Sequence, residues 1–300
     1  MTELAAPAAR PLRLSERIEG AAAIALMSVF KALPIDAASG LGGWLARTIG
    51  PRLGVSKRAR RNLELALPAL SPRERNRVIF RMWDNLGRVI AEYPHMAGIE
   101  CFTPGARLQA SGTEHVDAAR ARNKPIMFIG GHYGNWEAMG IASIRYGLTT
   151  SLIYRAPNNP IVADLMVRMR GNVGAGVIPK GAAGARQLIQ ALKANTTIGI
   201  LIDQKMNDGV PVPFFGRDAW TAPGPVELAT RYDCTILMVR AIRTSGAHFQ
   251  VKVSPPIEIA RTGDRHADTR TTLIRINQEL ERWIREDPGQ WFWLHKRWPD

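Results

Sequence analysis

The fold of this chain is decided by residues 125–137, which read PIMFIGGHYGNWE. The apolar run 125–129 predicts a short buried strand, and the paired glycines after it predict a turn. The histidine of the stretch, His132, therefore follows a strand end, where side chains face solvent or ligand. We expect this turn to carry a functional site.

A carboxylate, Glu137, follows His132 five residues later. On one continuous helix this spacing turns about 500°, so the two side chains would diverge by roughly 140°. If His132 lies in the turn and Glu137 in the first helical turn, the two can meet, and the carboxylate then orients the imidazole as a general base. A helix-capping histidine beside a solvated glutamate is the alternative, and the spacing alone does not decide between them.

The composition limits the class of protein. The chain has 300 residues, 46% of them hydrophobic, which is enough for a substantial core. Its formal net charge of +14 indicates an anionic partner. Zinc-finger spacing and an arginine-rich tail are both missing from the sequence, so we predict no nucleic-acid partner. The two cysteines, Cys101 and Cys234, provide neither a disulfide framework nor a metal-ligand pair.

The N-terminal part differs from the rest of the chain. Residues 1–14 are predicted to be a disordered tail, 15–50 a membrane-associated helical segment, and 51–300 the main domain. The apolar run 20–30 is well short of the roughly 20 residues that span a bilayer, so we predict helices that are interfacial or shallowly inserted. An ordinary hydrophobic helix that caps the domain is the alternative.

From residue 124 onward, strand patterns alternate with helix patterns. This alternation predicts an α/β fold with a mixed, largely parallel sheet flanked by helices. An earlier helix is predicted after Ser71-Pro72, which matches a helix start. The predicted strands are 125–129, 149–154, 197–202, 234–240 and 248–253. The predicted helices are 135–145, 160–171, 181–194, 223–232 and 267–286.

An ordered series of short motifs surrounds His132. The series comprises Arg61-Asn62-Leu63, Trp83 to Arg88, Tyr154 to Pro160, Arg168-Met169-Arg170, Ile202-Asp203-Gln204, Val212 to Gly216 and Trp293 to Trp298. With His-x4-Glu, this series resembles the lysophospholipid acyltransferase superfamily. More narrowly, it resembles the lipid A biosynthesis (lauroyl/myristoyl-type) acyltransferases of Gram-negative bacteria. The glycerol-phosphate acyltransferase branch usually has Asp at the place of Glu137 and a Pro-Glu-Gly motif where this chain has Phe214-Phe215-Gly216, and both departures favour the lipid A branch.

The resemblance implies a function. It implies a glycerol-phosphate acyltransferase-like fold and transfer of an acyl chain from acyl carrier protein to a hydroxyl of an anionic glycolipid, a lipid A precursor. The place of action would be the cytoplasmic face of the inner membrane. It implies His132 as general base, Glu137 as its orienting partner, and no cofactor or metal beyond the acyl carrier protein donor. Backbone N–H groups around Gly131 and Tyr133 are candidates to bind the oxyanion.

Four further residues are predicted to bind substrate. The family pattern keeps an arginine at the place of Arg168, which we assign to phosphate or intermediate contact, and Arg170 is the weaker candidate. A cationic helix end would explain both arginines equally well. Asp203 and Arg155 each follow a predicted strand, where α/β proteins place functional side chains. A turn-forming aspartate and a structural ion pair are their respective alternatives.

Other interpretations of the whole chain stay open at this point. An acyltransferase of the same superfamily that acts on a phosphoinositide mannoside, a lysophospholipid or an ornithine lipid would have the same base and donor site. A non-catalytic basic membrane-binding protein is the alternative of a different class. The segment 212–216 is predicted to line the acyl groove or to be a packed loop. The four C-terminal tryptophans suit either a membrane interface or the core.

Overall fold

The computed structural model describes residues 12–298, apart from the side chains of Ala182 and Ala183. The predicted disordered tail, residues 1–14, lies mostly outside the described residues. Four helices come first: α1 Leu14–Ala32, α2 Ile35–Ile49, α3 Ser56–Ala66 and α4 Pro72–Glu92. Helix α4 starts as predicted, because the Ser71 side chain accepts a hydrogen bond from the Glu74 N–H in a capping box.

Strands and helices alternate in the remainder of the chain. In order they are β1 Leu108–Ser111, α5 Thr113–Ala121, β2 Ile126–Gly130, α6 Glu137–Arg145, β3 Thr150–Tyr154, α7 Pro160–Gly171, β4 Gly176–Pro179, α8 Ala182–Lys193, β5 Thr197–Leu201, β6 Val210–Phe214, β7 Arg217–Thr221, α9 Gly224–Arg231, β8 Thr235–Ser245, β9 His248–Pro256 and α10 Arg265–Glu286.

Seven of the strands form one sheet in the order β1-β9-β8-β2-β5-β3-β4. All neighbours in it are parallel except β8 and β9, which are antiparallel. The predicted α/β class with a mixed, largely parallel sheet is therefore confirmed. Strands β6 and β7 form a separate antiparallel hairpin.

All five predicted strands are present, and the sequence missed four other strands and the helices α3 and α5. Strands β1 and β4 are only four residues long, too short for a clear hydrophobic pattern. Strand β6 reads VPVPF, and its two prolines argue against a strand in a sheet interior. Two strands can tolerate prolines when they form an isolated hairpin, since each has a free edge.

Helix α2 packs tightly on α4 through two glycines. A Cβ on Gly87 would lie 2.1 Å from the Gly42 carbonyl oxygen, so both positions need the small residue for the helices to cross this closely. Helix α1 contacts α7, where Ile161 fills the space beside Gly20. Within residues 12–298, none of the helices has the length and apolarity needed to cross a membrane.

The C-terminal segment is part of the core. Trp283, Trp291, Trp293 and Trp298 are all buried. Trp298 stacks on Phe214, with ring centroids 5.6 Å apart. The core interpretation of these tryptophans is therefore right and the membrane-interface interpretation is wrong. The same packing shows that the segment 212–216 contributes to the core.

Candidate active site

The candidate site lies where two central strands end. Strands β2 and β5 are parallel neighbours, with Gly130 paired to Leu201. His132 follows the end of β2, and Asp203 follows the end of β5. Because parallel strands end at the same edge of the sheet, both side chains reach one place.

Asp203 holds His132 through two hydrogen bonds. The backbone N–H of His132 donates to Asp203 Oδ2 at 2.7 Å, and His132 Nδ1 lies 2.8 Å from Asp203 Oδ1. Trp291 Nε1 also donates to Oδ2, at 2.8 Å. Burial alone would raise the pKa of Asp203, but the charges and hydrogen bonds of His132 and the charge of His295 hold it well below its usual range. An ionised carboxylate only accepts hydrogen bonds, so Nδ1 of His132 carries the proton.

The other ring nitrogen of His132 is available. Among the described residues, none forms a hydrogen bond with His132 Nε2, and the side chain is 16% exposed. With Nδ1 protonated, Nε2 has a free lone pair that is accessible from solvent. This tautomer and this orientation are those of a general base.

The turn that carries His132 depends on a glycine. Gly134 has φ of +56°, and a Cβ there would lie 1.8 Å from the Ala241 carbonyl oxygen. Within the same turn, the Tyr133 N–H donates to the Gly131 carbonyl oxygen at 2.7 Å. The Tyr133 N–H is therefore engaged within the turn in this conformation, and the use of N–H groups around Gly131 and Tyr133 as oxyanion donors stays a prediction.

The predicted pairing of Glu137 with His132 is not formed in this structure, which gives both residues other partners. Glu137 begins α6 and is buried. Its carboxylate accepts hydrogen bonds from Arg170 Nε at 3.0 Å and Arg170 Nη2 at 2.5 Å, and also from the Tyr93 hydroxyl. Burial favours the neutral acid, but the Arg170 hydrogen bonds and charge leave the pKa of Glu137 below its usual value. Asp203, not Glu137, orients His132.

The two arginines of α7 differ in their surroundings, and the predicted role of each in substrate binding stays a prediction. Arg168 forms an exposed ion pair with Asp164, one turn away on the same helix. Arg170 is largely buried between Glu137 and Tyr93. Within the described part of the chain, Arg170 Nη1 is buried without a hydrogen-bond partner. Arg170 thus has an unused donor in the interior.

An apolar cavity lies beside the turn, between the sheet and helices α6 and α7. It contains about 550 Å³ of empty space, including its open mouth. Trp136 lines this cavity, and its ring centroid is 5.1 Å from that of His132. Leu152 and the Glu137–Arg170 pair also line it. The mostly apolar lining of this cavity suits a hydrocarbon chain that ends near His132.

His295 is a site residue that the sequence analysis missed. Its ring centroid is 4.6 Å from that of His132, and its Nε2 is buried without a hydrogen-bond partner within residues 12–298. Burial and the nearby charge of His132 lower the pKa of His295 to about 3, so the imidazole is neutral. Its only sequence signal was a position between buried tryptophans, which does not reveal a partner far away in the chain.

Three residues of the site have the donor atoms of a metal site. One ligand atom each from His132, Asp203 and His295 lie within 4.8 Å of one another. However, the Asp203 oxygens already accept three hydrogen bonds from His132 and Trp291. A metal ion would have to displace at least one of them, so the set does not form a ready cage, and the absence of a metal requirement stays a prediction.

The last predicted site residue, Arg155, follows strand β3. Because β3 is the parallel neighbour of β5, Arg155 lies at the same edge of the sheet as Asp203. Its side chain is exposed. The structure thus brings His132, Asp203 and Arg155 to one edge and places Glu137 and Arg170 in the wall of the cavity.

The fold and this site define an α/β enzyme with a carboxylate-oriented histidine beside an apolar cavity. A family model described as bacterial lipid A biosynthesis acyltransferase matches residues 10–300. The chain belongs to this family and is an acyltransferase. A non-catalytic binding protein is therefore set aside.

Individual relatives agree with the family. The chain is 28% identical to a lipid A biosynthesis lauroyltransferase of Escherichia coli (strain K12), over 81% of this chain and 78% of that protein. It is 25% identical to a lipid A biosynthesis palmitoleoyltransferase of the same organism, over 83% of each. It is also 25% identical to a phosphatidylinositol mannoside acyltransferase of Mycobacterium tuberculosis (strain CDC 1551 / Oshkosh), over 62% of this chain and 58% of that protein.

Proposed function

We propose that this protein transfers a fatty acyl chain from an acyl carrier protein thioester to a hydroxyl of a lipid A precursor. The observation that carries the proposal is the His132–Asp203 pair, which leaves His132 Nε2 free beside the apolar cavity. The names of the relatives support lipid A as the product, and the basic charge of the chain suits both an acidic carrier and a phosphorylated glycolipid.

The tautomer of His132 decides which of its atoms acts as the base in the proposed reaction. Nε2 takes the proton of the acceptor hydroxyl while its oxygen attacks the thioester carbonyl carbon. The carbonyl π electrons move to oxygen, and the tetrahedral intermediate then re-forms the carbonyl as the carbon–sulfur bond breaks. The imidazolium returns the proton to the leaving thiolate. Asp203 stabilises the transient imidazolium, because its buried carboxylate stays ionised.

Arg170 and Glu137 take different parts in this proposal. The unpartnered Nη1 of Arg170 supplies a donor for the thioester carbonyl oxygen at the cavity wall. Glu137 positions the guanidinium by its two hydrogen bonds. Arg168 is exposed near the end of α7. Its predicted contact with a substrate phosphate would therefore be made at the protein surface.

The N-terminal helices support binding to a membrane surface. Several large apolar side chains on α1, α2 and the following turn are exposed to solvent: Leu14, Ile18, Ile24, Leu26, Val29, Trp44, Ile49 and Leu53. Apolar side chains on helices that also carry cations suit insertion into the headgroup region of an anionic leaflet. We propose the cytoplasmic face of the inner membrane as the place of action.

The test is transfer by purified protein with acyl carrier protein thioesters and a lipid A precursor. His132→Ala should abolish transfer and leave folding and vesicle binding intact. Near-normal transfer by this variant would exclude His132 as the base.

A second candidate acceptor is a phosphoinositide mannoside, which the similarity to the Mycobacterium tuberculosis relative favours. Its donor chemistry would be the same, so acceptor profiling decides. Faster transfer to a phosphoinositide mannoside than to a lipid A precursor would replace the lipid A assignment.

A further inference from the structure

We propose that Arg155 and Lys180 form a phosphate-binding site beside the His132–Asp203 pair. This inference rests on the acyl transfer proposed above and adds the place where a substrate phosphate is held. It gives a role to Lys180, which the sequence analysis did not single out.

The topology brings the two cations together. Strands β3 and β4 are parallel neighbours, with Tyr154 paired to Pro179, and Arg155 and Lys180 are the residues that follow. The Lys180 N–H donates to the Tyr154 carbonyl oxygen at 2.9 Å, so the ladder continues to the point where both side chains leave the sheet. The two side chains therefore start side by side.

The same topology places them next to the catalytic pair. The sheet order β2-β5-β3-β4 puts His132, Asp203, Arg155 and Lys180 at the ends of four successive strands. Adjacent strands are about 4.8 Å apart, so Arg155 and Lys180 follow Asp203 at roughly 5 and 10 Å across the sheet. A substrate group held there lies beside the reacting atoms.

Electrostatics support an anionic occupant. Partial burial and the charge of Arg155 lower the pKa of Lys180, while Asp203 opposes this effect. The Asp203 carboxylate attracts Lys180, but it is already hydrogen bonded to His132 and Trp291. Among the described residues, Arg155 and Lys180 form no ion pair, and both side chains keep a substantial part of their surface exposed to solvent.

Two neighbouring cations without an ion-pair partner repel each other, and a bound phosphate relieves this repulsion. A phosphate offers several oxygens, so it can accept from the fork of an arginine and from a lysine ammonium at once. Two substrate phosphates have this chemistry: the phosphodiester of the donor's phosphopantetheine arm and the phosphate of the glycolipid headgroup.

Paired substrates distinguish the two sources. KM and kcat are measured for wild type, Lys180→Gln and Arg155→Gln. Each protein is assayed with two pairs of substrates: acyl-phosphopantetheine and acyl-pantetheine as donors, and the phosphorylated and dephosphorylated glycolipid as acceptors. Lys252→Gln is the matched control, because Lys252 is an exposed lysine on β9.

For the phosphorylated form of one substrate, we expect KM to rise about tenfold in both site variants, because each variant loses a charge-assisted contact. We expect kcat to change less than about twofold. The dephosphorylated form should show no such rise, and Lys252→Gln should behave as wild type. The substrate that shows the rise supplies the phosphate. Unchanged KM for both phosphorylated substrates would overturn the inference.

A binding measurement separates this inference from the proposed function. Binding of 4′-phosphopantetheine and of glucosamine 1-phosphate is followed by ligand-observed NMR without turnover, beside pantetheine and glucosamine. Binding that needs the phosphate and is lost in Lys180→Gln supports the site even if no acyl transfer is found. Binding of neither phosphate compound in preference to its dephosphorylated form contradicts the site even if transfer is observed.

Discussion

Asp203 accepts a 2.8 Å hydrogen bond from His132 Nδ1, although the two residues are 71 positions apart in the chain. A second bond, from the His132 N–H to the same carboxylate, fixes the turn as well as the ring. The relationship determines the tautomer of His132 and leaves Nε2 with a free lone pair.

Replacing Asp203 by Asn should lower kcat by about 10²–10⁴-fold with little change in KM. The amide cannot stabilise the imidazolium, and it can donate to His132 Nδ1 and so favour the wrong tautomer. Steady-state kinetics with an acyl carrier protein thioester measure the effect, and circular dichroism checks the fold. A loss of less than about fivefold would mean that Asp203 does not act through His132.

Arg170→Ala should lower the free energy of unfolding by about 3–5 kcal/mol, because it leaves the buried Glu137 carboxylate without its cation. Arg168→Ala is the matched control on the same helix. It removes an exposed pair with Asp164 and should cost less than about 1 kcal/mol. Urea unfolding measures both. Equal losses in the two variants would argue against the buried ion pair.

The buried His295 predicts loss of stability in acid. Burial and the charge of His132 lower the pKa of His295 to about 3, from an ordinary value of 6.5. Below pH 6.5 the unfolded chain takes up this proton while the folded chain does not until about pH 3, so stability falls as pH is lowered through this window. The slope is at most about 1.4 kcal/mol per pH unit.

His295→Gln should reduce that slope, because the replaced side chain does not titrate. Urea unfolding at pH 7 and pH 4.5 measures it in wild type and variant. The same slope in both proteins would show that another group causes the acid sensitivity.

Leu152 should limit the length of the acyl chain. A Cβ added to Gly199 would lie 2.6 Å from Leu152 Cδ2, and a Cβ added to Gly140 would lie 3.0 Å from Leu152 Cδ1. The Leu152 side chain therefore fills the space that these two glycines leave. Leu152→Ala should shift preference to longer acyl donors, since each further buried methylene adds about 0.8 kcal/mol, roughly fourfold in kcat/KM.

Competition between acyl donors of different length measures this shift. Leu188→Ala, on α8 and packed against a different part of the core, is the control and should keep the original preference. An unchanged preference in a folded Leu152→Ala variant would place the acyl chain elsewhere.

Chelation should leave acyl transfer unchanged, because the proposed chemistry uses the unprotonated Nε2 of His132 as the base and no Lewis acid. Added Zn²⁺ should inhibit, since His132, Asp203 and His295 present the nitrogen and oxygen ligands that zinc prefers. Activity is measured after dialysis against EDTA and again with Zn²⁺. Activity that is lost in EDTA and restored by a divalent metal would contradict the metal-free mechanism.

The sequence by itself determined the fold class and the position of His132 just after a strand end. Residues 125–137 give a strand, a turn and a histidine, and the later alternation of strands and helices gives a largely parallel sheet. These features follow from local patterns of apolar residues and glycines, which act over a few residues. The shortest strands, β1 and β4, and the proline-rich β6 gave no such pattern.

Only the tertiary structure decided which carboxylate meets His132. Spacing along the chain allowed a pairing with Glu137, five residues away, and the family resemblance implied it. The start of α6 instead turns that side chain into the interior, where Arg170 and Tyr93 bind it. Asp203 reaches His132 because β2 and β5 are neighbours in the sheet. The order of strands in a sheet depends on packing between distant segments, so the spacing of residues along the sequence does not reveal it.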